Sequence, residues 1–160
     1  MKLPSMSLTL KSFFAFSLLV SILQVHAAGF ADSQEELFMK HVEAGNLGEV
    51  EKLLDSGVNV NFKRSGDGGT ALIIASGRSH LDVANLLVSR GANVNLSNQN
   101  GWTPLMAAVS RGSYRIATFL LEKGADPNSK HIYGWTALKL ASQKGKDDIV
   151  GVLKKFGAQK

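Results

Sequence analysis

Cysteine is absent from this chain, and the absence excludes several kinds of protein at once. No disulfide can form and no lipid can be attached through a cysteine. The four histidines, His26, His41, His80 and His131, are scattered, with no two at metal-ligand spacing. Without thiolates or paired imidazoles a zinc site is not expected, and no cofactor is implied. Catalytic groupings are missing too. Nothing in the sequence brings a serine, a histidine and an aspartate together. Gly66-Asp67-Gly68-Gly69 has the composition of a phosphate-cradling loop but lacks its lysine and its Ser/Thr. Enzymatic activity is therefore not expected. A full membrane span is lacking as well, because the apolar run from Phe13 to Val25 is too short to cross a bilayer comfortably.

What is present is periodicity. Gly68-Gly69-Thr70-Ala71-Leu72 returns as Gly101-Trp102-Thr103-Pro104-Leu105 and again as Gly134-Trp135-Thr136-Ala137-Leu138, with the threonines 33 residues apart each time. Ala75, Ala108 and Ala141 keep the same beat, as do Gly91, Gly124 and Gly157. Gly57 belongs to the same series one residue further off, 34 positions before Gly91. A fixed period of this length marks a stacked repeat array. Each threonine precedes an apolar stretch, where its hydroxyl can cap free helix amides, and Pro104 falls at a first helical position. Acids open the second helices (Glu49, Asp82, Asp147, Asp148), and Arg90 and Lys123 precede closing glycines. That order complements the helix macrodipole, with the glycines as C-terminal caps. Gly45, Gly112 and Gly145 punctuate the turn between paired helices, with Ser79 in that place in the second unit.

These motifs, with Ala92-Asn93-Val94-Asn95 and Ala125-Asp126-Pro127-Asn128 after the closing glycines, resemble the ankyrin repeat family over roughly residues 34–160. The resemblance implies an all-α repeat solenoid of four stacked helix-turn-helix units with hairpin loops, at about 34–66, 67–99, 100–132 and 133–160. Each unit buries its apolar stripe only against its neighbours, so about three units are needed for stability. The first unit lacks the hairpin phrase and reads as an N-terminal cap. The last helix, expected from Asp148 to Phe156, sets Ile149, Val152, Leu153 and Phe156 against Lys154 and Lys155, as a C-terminal cap requires. Both ends thus read as closed, giving an expected single mature domain of roughly 133 residues.

Residues 1–27 stand outside the repeat. Lys2 and Lys11, the apolar run and the small-residue exit Val25-His26-Ala27 together read as a secretory signal cleaved near Ala27. An uncleaved anchor is the alternative. Residues 28–33 follow as a flexible leader. The mature chain is expected in the periplasm of a bacterium or secreted, with no transmembrane segment, as a monomer.

The resemblance also implies where a partner binds: at hairpin tips and on the concave side of the first helices. Trp102, Tyr133 and Trp135 occupy the tips of the third and fourth units. As aromatic anchors they would dominate an interface; alternatively the two indoles stack on each other. Arg78, Arg111 and Lys144 recur at 33-residue intervals near the ends of first helices, with Lys139 and Lys130 close by. A row of like charge suggests an acidic partner, although basic residues there also offset the helix dipole. Charge is uneven along the chain. Residues 28–63 carry seven acids against three lysines, and residues 64–160 carry thirteen basic side chains against six acids. Nucleic acid is not expected for an exported chain. The expected function is protein binding in the cell envelope, with toxin immunity or attachment to an anionic envelope surface as alternatives.

Overall fold

The computed structural model describes residues 34–159. The expected signal segment at 1–27, its expected cleavage near Ala27 and the expected leader at 28–33 lie outside the described residues. The described residues form helix pairs joined by hairpin loops: α1 (34–44) with α2 (Leu47–Asp55), α3 (Ala71–Arg78) with α4 (Leu81–Ser89), α5 (Pro104–Arg111) with α6 (Tyr114–Glu122), and α7 (Ala137–Gln143) with α8 (Asp147–Lys155). Helix α3 packs on α5 and α5 on α7, while α2, α4, α6 and α8 form a second row. The result is the all-α repeat solenoid that the period implies.

The threonines start their helices as expected. Thr70, Thr103 and Thr136 hold extended backbone, and their hydroxyls accept from the amides of Ile73, Met106 and Lys139 at 3.2–3.3 Å. The glycines end the second helices one residue beyond the cap. At α4 the Gly91 amide donates to Val88 O (3.1 Å) and the Ala92 amide to Leu87 O (2.9 Å). This double bond pattern is the Schellman closure, and it recurs at Gly57, Gly124 and Gly157. Helix α8 lies one residue earlier at both ends than Asp148 to Phe156, the ordinary uncertainty of a helix end.

The core runs through the stack as a ribbon. Phe38, Val42, Val50, Leu72, Leu87, Leu105, Leu120, Ile149 and Leu153 are fully buried, each removing apolar surface worth about 1.5–3 kcal/mol when hidden from water. Ala75, Ala108 and Ala141 are buried where first helices meet, and the small side chains permit that approach.

A second tie joins successive units outside the core. Asn61 Nδ2 donates to Gly91 O at 3.1 Å and its Oδ1 accepts from the Asn93 amide at 2.8 Å. Asn95 makes the same pair of bonds to Gly124 and Asp126, and Asn128 makes it to Gly157 and Gln159. Each carboxamide thereby satisfies one donor and one acceptor of the following loop, which would otherwise rely on water.

Candidate functional site

On the first-helix side, the C-terminal half of α3, the helix α5 and the hairpin before α5 enclose an open cleft of about 480 Å³. Arg78, Trp102 and Arg111, singled out in the sequence, all line it. Glu43, Arg64, Ile74 and Gly77 join them. The capping bond of Thr103 fixes where the hairpin enters α5 and so sets Trp102 at the cleft rim. The indole is half-buried, with its edge to His131 at a centroid distance of 5.6 Å. His131 in turn lies 5.3 Å from the ring of Tyr133, which is 77% exposed.

The guanidinium groups of this cleft differ in partnership. Arg64 grips Asp67 with two bonds, Nε–Oδ1 at 3.2 Å and Nη2–Oδ2 at 2.8 Å. That contact, with the Gly69 amide donating to Oδ1 at 3.0 Å, holds the Asp67 carboxyl below the usual range and raises Arg64. Arg78 forms an ion pair with Glu43, across from α3 to α1. No carboxylate pairs with Arg111 among the described residues, and its side chain is exposed.

The remaining sequence candidates stand elsewhere. Lys144 does not line this cleft; its ammonium donates to the carbonyl of Ser110 at 2.8 Å, near the C-terminal end of α5. There it acts as the dipole-offsetting cation of the second sequence reading. Lys139 places its ammonium 4.7 Å from the Trp135 ring centre, within cation–π range. The two indoles therefore take different partners, His131 and Lys139. Lys130, Lys139 and Lys154 line a further cleft of about 470 Å³ around Thr136 and Ser142.

Sequence reasoning missed the cleft residues Glu43, Arg64 and Gly77. Glu43 carried a usable signal, since it falls at the position preceding the helix turn, two residues before Gly45. His80 sets Nε2 3.1 Å from the Glu43 carbonyl, with the ring nitrogen donating because a carbonyl only accepts. Arg90 binds two acids of the preceding unit, Glu51 at 3.0 Å and Asp55 at 2.6 Å.

The geometry defines a stacked helical-repeat protein with an open, mixed aromatic and basic cleft on its first-helix face. A family model described as ankyrin repeats in three copies matches residues 38–131, more than half of the sequence, and the chain belongs to the ankyrin repeat family. It is similar to "Ankyrin repeat, SAM and basic leucine zipper domain-containing protein 1" of Ovis aries, 37% identical over 62 residues. It is also similar to the human "Notch-regulated ankyrin repeat-containing protein", 32% identical over 75 residues. The aligned parts make up 39% and 45% of this chain, and 13% and 66% of those relatives. Ankyrin repeats generally serve as non-catalytic modules that bind other proteins. Among the described residues no helix is long and apolar enough to cross a membrane.

Proposed function

We propose that this chain is an exported binding module, carried to the periplasm or the exterior by its N-terminal segment, which holds an acidic stretch of an envelope protein against its first-helix face. One observation carries the reading. Arg78, Arg111 and Trp102 converge on a single open cleft, and Arg111 brings to it a guanidinium that no carboxylate pairs with among the described residues. Trp and Arg are both enriched among the residues that dominate protein interfaces. The basic start, apolar run and Val25-His26-Ala27 exit support export. The chain acts as a monomer, with no nucleic-acid partner.

The test is copurification of the full chain, tagged at its C-terminus and expressed in its native host, beside an Arg111→Glu variant. Arg111 is the informative position, because reversing Arg78 would also break its pair with Glu43, and reversing Lys144 would strip the end of α5. A stoichiometric companion lost from the variant supports the reading. A companion retained at equal yield overturns it. Affinity then separates an immunity role, at nanomolar strength or tighter, from an accessory role at micromolar strength. A second reading, attachment to an anionic envelope surface, has its own support. Lys130, Lys139 and Lys154 share one cleft, and no carboxylate pairs with them among the described residues. It predicts pelleting of the chain with the envelope and release by salt.

A further inference from the structure

The basic residues at the ends of the first helices obey a register. Arg78, Arg111 and Lys144 each stand one residue before the turn position held by Ser79, Gly112 and Gly145. The register counterpart of each in the preceding unit is the residue two places before the turn: Glu43 before Gly45, Gly77 before Ser79, Ser110 before Gly112. Two of the three pairings are made. Arg78 takes the Glu43 carboxylate, and Lys144 takes the Ser110 carbonyl at 2.8 Å. At the middle rung the counterpart of Arg111 is Gly77, which has no side chain to offer. Gly77 and Arg111 line the same cleft, together with Trp102 and Ile74. The space beside Gly77 is real, since a β-carbon placed there would meet only Ala107 Cβ, at 3.8 Å.

We infer that this rung is the seat of one Asp or Glu side chain of the partner protein, received over Gly77 by the guanidinium of Arg111. The inference rests on reading this cleft as the binding site and adds the chemistry of its central contact. The ladder itself is the argument. The same basic position one unit earlier binds a carboxylate held at the position where Gly77 now stands. A carboxylate entering from outside would find the same donor in the same register. Arg78 already pairs with Glu43 and Arg64 with Asp67, so Arg111 is the cleft guanidinium with no carboxylate partner among the described residues. The neighbouring indole and Ile74 would take the apolar residues flanking the acid. The cleft is open at the surface and is lined from three successive units, which suits an internal stretch of polypeptide.

Two measurements on the full chain test this without knowing the partner. In the first, Gly77→Glu builds the missing carboxylate into the chain, with Gly77→Gln as the control for side-chain volume and helix propensity. Thermal unfolding of both, alone and combined with Arg111→Gln, forms a double-mutant cycle. The expected result is that Gly77→Glu melts above Gly77→Gln, and that the difference disappears when Arg111 is replaced. No coupling to Arg111 would overturn the register. In the second, a short polyglutamate peptide blocked at both ends is titrated at low salt. Gly77→Glu and Arg111→Gln should each weaken its binding about tenfold, the scale of one charge-assisted contact. The distant Lys123→Gln should change it little. Equal weakening by Lys123→Gln would show attraction to net charge and would overturn the carboxylate seat. The copurification with Arg111→Glu judges the binding face separately, so a failed peptide titration beside a lost companion would reject the carboxylate and keep the face.

Discussion

Ser79 holds a left-handed backbone, φ 64°, at the turn where the other units place Gly45, Gly112 and Gly145. It is the one non-glycine residue with positive φ among the described residues. The conformation costs an L-residue about 1–2 kcal/mol, while glycine would lose more backbone freedom on folding, by about 0.5–1 kcal/mol. Ser79→Gly should therefore raise stability by up to about 1 kcal/mol, read from the urea midpoint at unchanged slope. The Asp67 carboxyl shows the opposite kind of residue effect. Its affinity for a proton is lowered in the folded chain, first by the bond from Arg64 and then by the Gly69 amide. A lowered folded value means that the stabilisation is present above the unfolded value, about pH 3.9, and fades as the pH falls through the still lower folded one. Both partners are nearly half exposed, which keeps the effect under about 1 kcal/mol. Asp67→Asn should destabilise by that small amount at neutral pH, and the gap to the parent chain should close as the pH falls through the lowered folded value. A gap that persists in acid would assign the effect to hairpin geometry.

At the scale of the element, two devices hold the units together, and they were unequally visible in the sequence. The threonine caps were legible because a capping hydroxyl acts on its own helix three residues on, so spacing alone locates it. Thr103→Ala should cost about 1 kcal/mol by this local mechanism. The asparagine ladder was visible as letters and silent as structure. Asn61, Asn95 and Asn128 stand 34 and 33 residues apart, yet spacing does not say that each side chain turns to the next loop and bonds there twice. Asn95→Ala removes two such bonds, to Gly124 O and to the Asp126 amide. Each is worth about 0.5–1.5 kcal/mol net, so the loss should be about 1–3 kcal/mol. Because the bonds cross from one unit to the next, the variant should also broaden the unfolding transition and lower its urea slope. Thr103→Ala should move the midpoint alone. A single sharp transition with an unchanged slope in Asn95→Ala would mean that core contacts carry the coupling between units without the ladder.

Across the whole molecule, the uneven charge acquires a structural use that a count along the chain could not reveal. The sequence shows an acidic first unit and a basic remainder, which invites contact between opposite ends of two copies. The structure instead turns that charge inward. Glu43 meets Arg78, and Glu51 and Asp55 meet Arg90, so three acids of α1 and α2 face arginines of the adjoining unit. The same fact limited the reading of the binding face. A row of Arg78, Arg111 and Lys144 looked uniform as sequence, but the carboxylate that pairs with Arg78 lies 35 residues away and Lys144 bonds a backbone carbonyl. Arg111 alone of the row has no such partner among the described residues. In a stack where each unit touches only its neighbours, stability is nearly a sum of units and interfaces, so removing an interfacial cation should act on one end. Arg90→Gln deletes two pairs, each worth about 0–1 kcal/mol because the groups are partly exposed. Amide hydrogen exchange in α1 and α2 should then speed up by about fivefold, the scale of 1 kcal/mol, while α5 to α8 keep their protection. High salt should reproduce part of that change in the parent chain, since exposed pairs are screened over about 10 Å or less. Faster exchange spread evenly through all the helices would show that the stack opens as one cooperative body, and the first unit would then owe no separate stability to these arginines.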